Sequence, residues 1–210
     1  MATSEQEIEA AQLKYADLME EIKTRIRYIN AVVSNDISLP ARIAEEFCFL
    51  QVRMVCETVA LGCLIAHGDI EYANSKAMLR AYEAKVILSK LEALRPNFFP
   101  RRLKDGQGRG GVRSMEGDDS QEPFTKDELL ELHGRCGNYT HRGRLGSLTL
   151  MHSQSTNDFI EMAPTMQRLV DLLSYHAIFF TTDRFWLCHL HTKESQAVQV
   201  YEMIRAKSPR

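Results

Sequence analysis

The sequence lacks the features by which a secreted or membrane-spanning chain is recognised. It contains no run of about 18 apolar residues, and residues 1–7 are acidic and carry no apolar signal segment. The five cysteines are an odd number and include no C-x-x-C pair, which excludes a disulfide framework. We therefore expect a cytoplasmic protein with reduced thiols and without a membrane partner.

The chain also lacks an excess of charge of either sign. It has 26 Lys and Arg residues against 28 Asp and Glu residues, which leaves a formal net charge of −2. This balance excludes a uniformly basic nucleic-acid binder, so any nucleic-acid site must be a local patch. The length of 210 residues suits a single helical domain over residues 1–210.

Apolar residues recur at helical spacing through most of the chain. Five helices are predicted, over approximately residues 8–34, 40–67, 77–95, 125–143 and 156–180. The second is apolar on nearly every side and is the predicted centre of the core, whereas Pro164 kinks or splits the fifth. The predicted fold class is therefore predominantly all-α, an antiparallel bundle of about five helices.

Two segments depart from helical spacing. Residues 95–124 are rich in Gly, Pro, Arg, Asp and Ser, which predicts a flexible insertion loop. Near the C-terminus, Trp186–His191 and Ala197–Tyr201 alternate between apolar and polar residues around a polar turn. This alternation predicts a small C-terminal β-hairpin appendage over residues 185–203.

The insertion loop has one candidate chemistry of its own. Gly106–Gly111 fits the pattern G-x-G-x-x-G, but neither the preceding strand nor the following helix of a dinucleotide site is predicted. Arg101 and Arg102 follow Phe98 and Phe99, a combination suited to phosphates and stacked bases. The alternative is a solvated linker, because a following acidic run balances the arginines.

Residue types that hold metals are present without the spacing that metal sites require. His133, Cys136 and His141 form no C-x-x-C or H-x-x-x-H pair, so no metal and no cofactor is expected. Glu46, Arg53 and Glu57 share one polar stripe of the second predicted helix. Two interpretations of this supporting stripe remain open: an ion-pair network that sets helix register, or a second wall of a cleft.

The stretch Arg135–His141 holds the densest group of reactive side-chain types. Arginine is a permanent cation suited to phosphate, and histidine exchanges protons near neutral pH. On an ideal helix, residues six apart differ by roughly 240° in direction and about 9 Å in height. Arg135 and His141 therefore share a substrate only if the helix is interrupted near Gly137 or a second subunit supplies the other half.

Small residues on the same predicted helix indicate where a second subunit could approach. Leu130, Gly134, Gly137 and His141 form a smooth strip. A two-fold partner against that strip would bring two copies of the motif to one cleft, so a homodimer is expected.

An all-helical bundle with Arg135-x-x-x-x-x-His141 late in the chain resembles the HEPN superfamily, whose hallmark is Arg, four to six residues, then His. The resemblance implies a metal-independent RNA endonuclease or an RNA-binding domain, in a toxin or phage-defence setting. It implies that His141 handles the proton, that Arg135 stabilises the phosphorane and that Asn138 orients the phosphate. The predicted RNA-binding side chains around this site are Tyr139, Arg142, Arg101 and Arg102.

Two alternatives stand beside this hypothesis. Arg135, His141 and Arg142 could instead stabilise the C-terminal carbonyl groups of their helix. The chain could also be a non-catalytic helical module that binds a protein partner or a nucleotide.

Overall fold

The computed structural model describes residues 5–68, 83–107, 113–117, 122–140, 151–191 and 195–204, and the side chains of all these except 105–107, 113–117, 140 and 151–158. The helices in these residues are α1 (Glu5–Val33), α2 (Ala41–Ala66), α3 (Ala84–Leu94), α4 (Lys126–Thr140) and α5 (Met151–Ser174). The strands are β1 (Arg101–Gln107), β2 (Arg113–Gly117), β3 (Tyr175–Phe179), β4 (Arg184–His189) and β5 (Gln199–Ile204).

Helix α2 lies at the centre of the core, as its apolar composition predicts. It packs against α1, α3, α4 and α5, and its buried residues include Phe49, Val52, Cys56 and Val59. By length and composition this helix could also cross a membrane, since its most apolar 18-residue window has a mean hydropathy of 1.7. However, 61% of that window is buried inside the protein, which is the character of a core helix.

The strands form an antiparallel sheet in the order β2-β1-β3-β4-β5. Only the start of β1 pairs with β3, through Arg101 opposite Ala177 and Arg102 opposite His176. The later residues of β1 pair with β2, while β4 pairs along its length with β3 and β5. Because side chains alternate along a strand, this register divides the residues between two faces.

The inner face of the sheet packs against the helical core through residues such as His176, Ile178, Trp186 and Cys188. The opposite side, here called the outer face, has its own small apolar cluster made of strand residues. On β3, β4, β5 and the first residues of β1, the positions of the outer face are Arg101, Leu103, Tyr175, Ala177, Phe179, Phe185, Leu187, His189, Gln199, Tyr201 and Met203. Further along β1, the alternation puts the position of Asp105, opposite Met115 of β2, on the same face.

The fold is therefore mostly helical, as the sequence predicts, but the predicted hairpin is part of a larger antiparallel sheet, so the chain is not plainly all-α. The fifth helix ends at Ser174 instead of near Phe180, and Pro164 lies inside it without splitting it. Residues 175–179 form β3 instead of the last turns of the predicted helix, because a short, mostly apolar run has no polar alternation to distinguish a strand from a helix.

Residues 95–124 are also more regular than the predicted insertion loop, since they contain β1 and β2. The charged sequence of β1 shows no apolar alternation, and its backbone pairing with β2 and β3 is what makes it a strand. At the C-terminus, β4 and β5 pair where the sequence predicts a hairpin, but they belong to the larger sheet and do not form an appendage. The first part of the predicted third helix, including Ala77 and Leu79, lies outside the described residues.

Candidate functional site

Helix α4 carries the first part of the motif and begins at a capping box formed by Thr125 and Glu128. The Glu128 backbone N–H donates to Thr125 Oγ1 at 3.2 Å, and the Thr125 N–H donates to Glu128 Oε2 at 2.9 Å. The inward-facing residues Leu129, Leu132 and Cys136 are buried. This anchoring fixes which side chains of α4 face outward.

Arg135 and Asn138 lie on the outward side of α4, three residues and so almost one helical turn apart. The Arg135 side chain is 34% exposed, and its Nη2 donates to Glu161 Oε2 of α5 at 3.5 Å. Glu161 is itself 68% exposed, so this ion pair is long and open to solvent. Arg135 thus contacts a side chain of another helix.

Tyr139, which the sequence predicts to contact RNA, packs inward. Its ring stacks on that of Phe49 of α2, with ring centres 4.1 Å apart and planes 11° from parallel. The ring therefore fixes α4 against α2 and is only partly exposed. In this position Tyr139 supports the helix that carries Arg135.

The other half of the motif, His141 with Arg142, lies outside the described residues. Helix α4 nevertheless settles one condition of the hypothesis, because it runs without interruption through Gly137 to Thr140. Arg135 and His141 are therefore not brought together by a break at Gly137. The remaining routes are a change of direction after Thr140 or a second subunit.

Beside the motif, α2 and α4 share a charged cluster. Arg53 Nε donates to Glu57 Oε1 at 3.0 Å, and His133 Nε2 donates to the same oxygen at 3.0 Å. All three side chains are mostly buried, with exposures of 26%, 24% and 18%. The Arg53 guanidinium also crosses α4 where it has no side chain, since a Cβ on Gly137 would lie 2.8 Å from Arg53 Nη1.

This cluster divides the polar stripe predicted on α2. Glu46 is not part of it, because Glu46 accepts a hydrogen bond from exposed Arg42 at 3.0 Å. His133 is part of it, although the sequence indicated this residue only as a rejected zinc ligand. No sequence signal reveals that His133 meets Glu57, because the pair forms only when α4 packs on α2.

One of the two glycines in the smooth strip of α4 already contacts another helix of the same chain. Gly137 receives the Arg53 side chain, whereas a Cβ on Gly134 would meet no atom within 4 Å. Gly137 therefore serves the packing of α4 on α2 of the same chain. Only the part of the strip around Gly134 is open among its described residues.

Arg101 and Arg102 are adjacent in sequence but lie on opposite faces of the sheet, as the alternation of a strand requires. Arg101 donates to Asn97 Oδ1 at 2.6 Å and lies over the Phe179 ring, 5.8 Å from its centre. Arg102 is half-buried and lies 3.9 Å from Asp171 of α5. The two arginines line a groove of about 500 Å³ between α3, β1 and α5 that contains neither Arg135 nor Asn138.

Burial controls the chemistry of the thiol next to Arg135. It raises the pKa of Cys136 to about 12, although Arg53 and Arg135 oppose the shift. A thiol in this state is a poor nucleophile at neutral pH. Among the described residues, no group of three His, Cys, Asp or Glu side chains is arranged to hold a metal ion.

The chain was also compared with known proteins. No protein-family model, no curated protein and no solved structure matches it. Only the arrangement of its own side chains therefore indicates a function.

Proposed function

We propose that this protein acts on RNA as a HEPN-like, metal-independent endonuclease built on an antiparallel helical bundle. Arg135 binds the scissile phosphate, Asn138 orients it, and His141 handles the proton. The proposal joins the Arg135 to His141 spacing in the sequence to the presentation of Arg135 and Asn138 on one side of α4.

The observation that carries the proposal is the availability of Arg135. Its contact with Glu161 is 3.5 Å long and joins two solvent-accessible side chains. Ion pairs of this type contribute about 0–1 kcal/mol, so a phosphate group can displace the carboxylate at little cost. Arg135 is also not needed as a partner for Glu57 in the α2–α4 cluster, because Arg53 already donates a hydrogen bond to that carboxylate.

The reaction follows from the charges that develop at the phosphate. The 2′-hydroxyl oxygen attacks the adjacent phosphorus, the bond from phosphorus to the 5′-oxygen breaks, and the products are a 2′,3′-cyclic phosphate and a 5′-hydroxyl. The guanidinium of Arg135 stabilises the negative charge of the phosphorane, and no metal ion is required. His141 accepts the proton from the 2′-hydroxyl, and this proton later passes to the 5′-oxygen.

The proposed site is completed by a second copy of the chain. On a continuous helix, the side chain of Arg135 and that of a residue six positions later point in different directions. A two-fold dimer would remove this difficulty, because it would bring Arg135 of one subunit and the motif of the other to one cleft. The open part of the α4 strip around Gly134 is the proposed approach.

The first test is cleavage of a mixed-sequence RNA in the presence of EDTA. We expect cleavage that survives chelation, yields cyclic phosphate ends and is lost in Arg135→Ala and His141→Ala. Arg42→Ala is the matched control, because Arg42 is also a surface arginine paired with one exposed carboxylate. Absence of cleavage by the unaltered protein, or equal cleavage by His141→Ala, would refute the proposal and favour a non-catalytic binding module.

The second test asks whether two subunits share the site. Arg135→Ala and His141→Ala proteins are mixed in equal amounts, so that half of the dimers formed contain one copy of each. Each mixed dimer has one intact site, and activity should return to roughly a quarter of the unaltered level. If the mixture stays inactive while both variants dimerise, the site lies within one chain.

A further inference from the structure

The outer face of the sheet is lined by aromatic rings at its exposed surface. Tyr175 stacks on His189, with ring centres 4.2 Å apart and an interplanar angle of 27°. Phe179 and Phe185 lie 5.0 Å apart, and Tyr201 lies at the edge of the His189 ring at 6.5 Å. These rings are partly buried by each other, and Tyr201 remains 46% exposed.

The rings form rows across neighbouring strands, as the register requires. Phe179, Phe185 and Met203 make one row, and Ala177, Leu187 and Tyr201 make the next. A third row contains Tyr175, His189 and Gln199. The outer rows are separated by four residues of a strand, or about 13 Å, so the aromatic surface is wider than one base.

Around the aromatic rings, the outer face carries positive charge. The eleven positions defined above include no Asp and no Glu, and their one permanent charge is Arg101. The Arg101 guanidinium lies 5.8 Å from the centre of the Phe179 ring, so the cation stands at the border of the aromatic surface. On the other side of the sheet, Glu202 of β5 and Asp171 of α5 pair with Arg184 and Arg102. Asp105 shares the face of Arg101, but it lies four residues further along β1, where the strand pairs with β2 and no longer with β3.

We propose that the outer face binds unpaired bases of single-stranded RNA. Aromatic rings on an open antiparallel sheet stack bases with little regard to sequence, while a cation at the border binds the backbone phosphate. The eleven positions around the rings carry no carboxylate that would repel the phosphates. The inference extends the proposed function, since the sheet would hold the strand that α4 cleaves, but binding here does not require cleavage.

The test measures binding of a short fluorescein-labelled oligouridine to the full chain by fluorescence anisotropy. Tyr201→Ala is the principal variant because its ring is already half exposed, and Tyr28→Ala on α1 is its control, with an exposure of 45%. We expect Tyr201→Ala to weaken binding by about 5-fold to 150-fold, the usual contribution of one stacked base, and Tyr28→Ala to change nothing. Equal melting temperatures establish that both variants are folded.

Two further measurements separate this proposal from its alternatives. Arg101→Gln should weaken binding and lower the slope of log affinity against log salt by about 1, while a double-stranded RNA should compete poorly. Unchanged affinity in Tyr201→Ala and Phe179→Leu, or equal competition by the duplex, would overturn the proposal. Self-association lost in Tyr201→Ala without RNA binding would also overturn it, in favour of a second copy of the chain.

The α4 proposal and the sheet proposal fail separately. Loss of cleavage in Arg135→Ala together with weakened oligouridine binding in Tyr201→Ala supports both. Binding that depends on Tyr201 in a protein without RNA cleavage would leave the sheet proposal intact and refute the nuclease. Cleavage with unchanged affinity and rate in Tyr201→Ala would do the reverse.

Discussion

At the scale of single residues, the two glycines of α4 have different surroundings. Alanine favours a helix over glycine by about 0.5–1 kcal/mol. We expect Gly134→Ala to raise the free energy of unfolding of a single chain by about this amount, because within the chain its Cβ would meet no atom within 4 Å. Gly137→Ala should raise the free energy of unfolding by at least about 0.5 kcal/mol less than Gly134→Ala does, because its Cβ would displace the Arg53 guanidinium. Urea unfolding of both variants checks the difference, and equal gains would contradict the packing of Arg53 on Gly137.

The two glutamates of the α2 stripe provide a second comparison. Removing Glu57 leaves Arg53 and His133 mostly buried without their shared acceptor. We expect Glu57→Ala to lower the free energy of unfolding by about 1–3 kcal/mol. Glu46→Ala removes an exposed pair with Arg42 and should cost no more than about 1 kcal/mol. Similar small losses in the two variants would show that the charged cluster does not stabilise the α2–α4 contact.

At the scale of elements, a buried histidine joins α1 to β3. Tyr15 donates its hydroxyl hydrogen to His176 Nε2 at 2.6 Å, because His176 Nδ1 donates to the Leu173 carbonyl oxygen at 2.9 Å. Burial lowers the pKa of His176 from 6.5 to about 4, helped slightly by His189. The folded protein therefore keeps this side chain neutral at the junction of helix and sheet.

This buried histidine makes the junction sensitive to acid. The unfolded chain binds the proton at the higher pKa, so the stability contribution is complete above pH 6.5 and is lost as the pH falls towards 4. Between about pH 7 and about pH 5 we expect this group to remove about 2 kcal/mol from the free energy of unfolding. When unfolding in urea is measured across that pH interval, His176→Gln should lose less free energy of unfolding than the unaltered protein. His191→Gln, at an exposed position, should keep the full loss, and identical profiles would contradict the assignment.

At the scale of the whole molecule, all five cysteines are buried and free. Burial raises the pKa of Cys48 to about 11 and that of Cys136 to about 12, and it raises those of Cys56, Cys63 and Cys188 as well. We expect no thiol of the folded protein to react with a disulfide reagent at neutral pH. All five should react after unfolding in guanidinium, and a reductant should leave the melting temperature unchanged. Rapid reaction of one thiol in the folded state would show that its surroundings open.

The helices were accessible to sequence reasoning because their signals are local. The spacing of Tyr15, Met19 and Ile22, the near-continuous apolar α2 and the Thr125–Glu128 capping box all act within a few residues. The strands were less accessible. Arg101 and Arg102 carry no strand signal, and Tyr175–Phe179 fits a helix as well, so their state depends on hydrogen bonds to distant residues.

The candidate site divides in the same way. The sequence by itself determined the Arg135 to His141 spacing, the helix that carries Arg135 and Asn138, and the balance of charge. Only the tertiary structure decided that Arg53, Glu57 and His133 form one cluster, that Glu46 stays outside it, and that α4 does not bend at Gly137. It also placed Arg101 beside the ring of Phe179, on an outer face that no local pattern indicates. The reason is physical: helix periodicity is set by neighbours along the chain, whereas ion pairs between helices and rows across strands are set by packing between residues far apart in sequence.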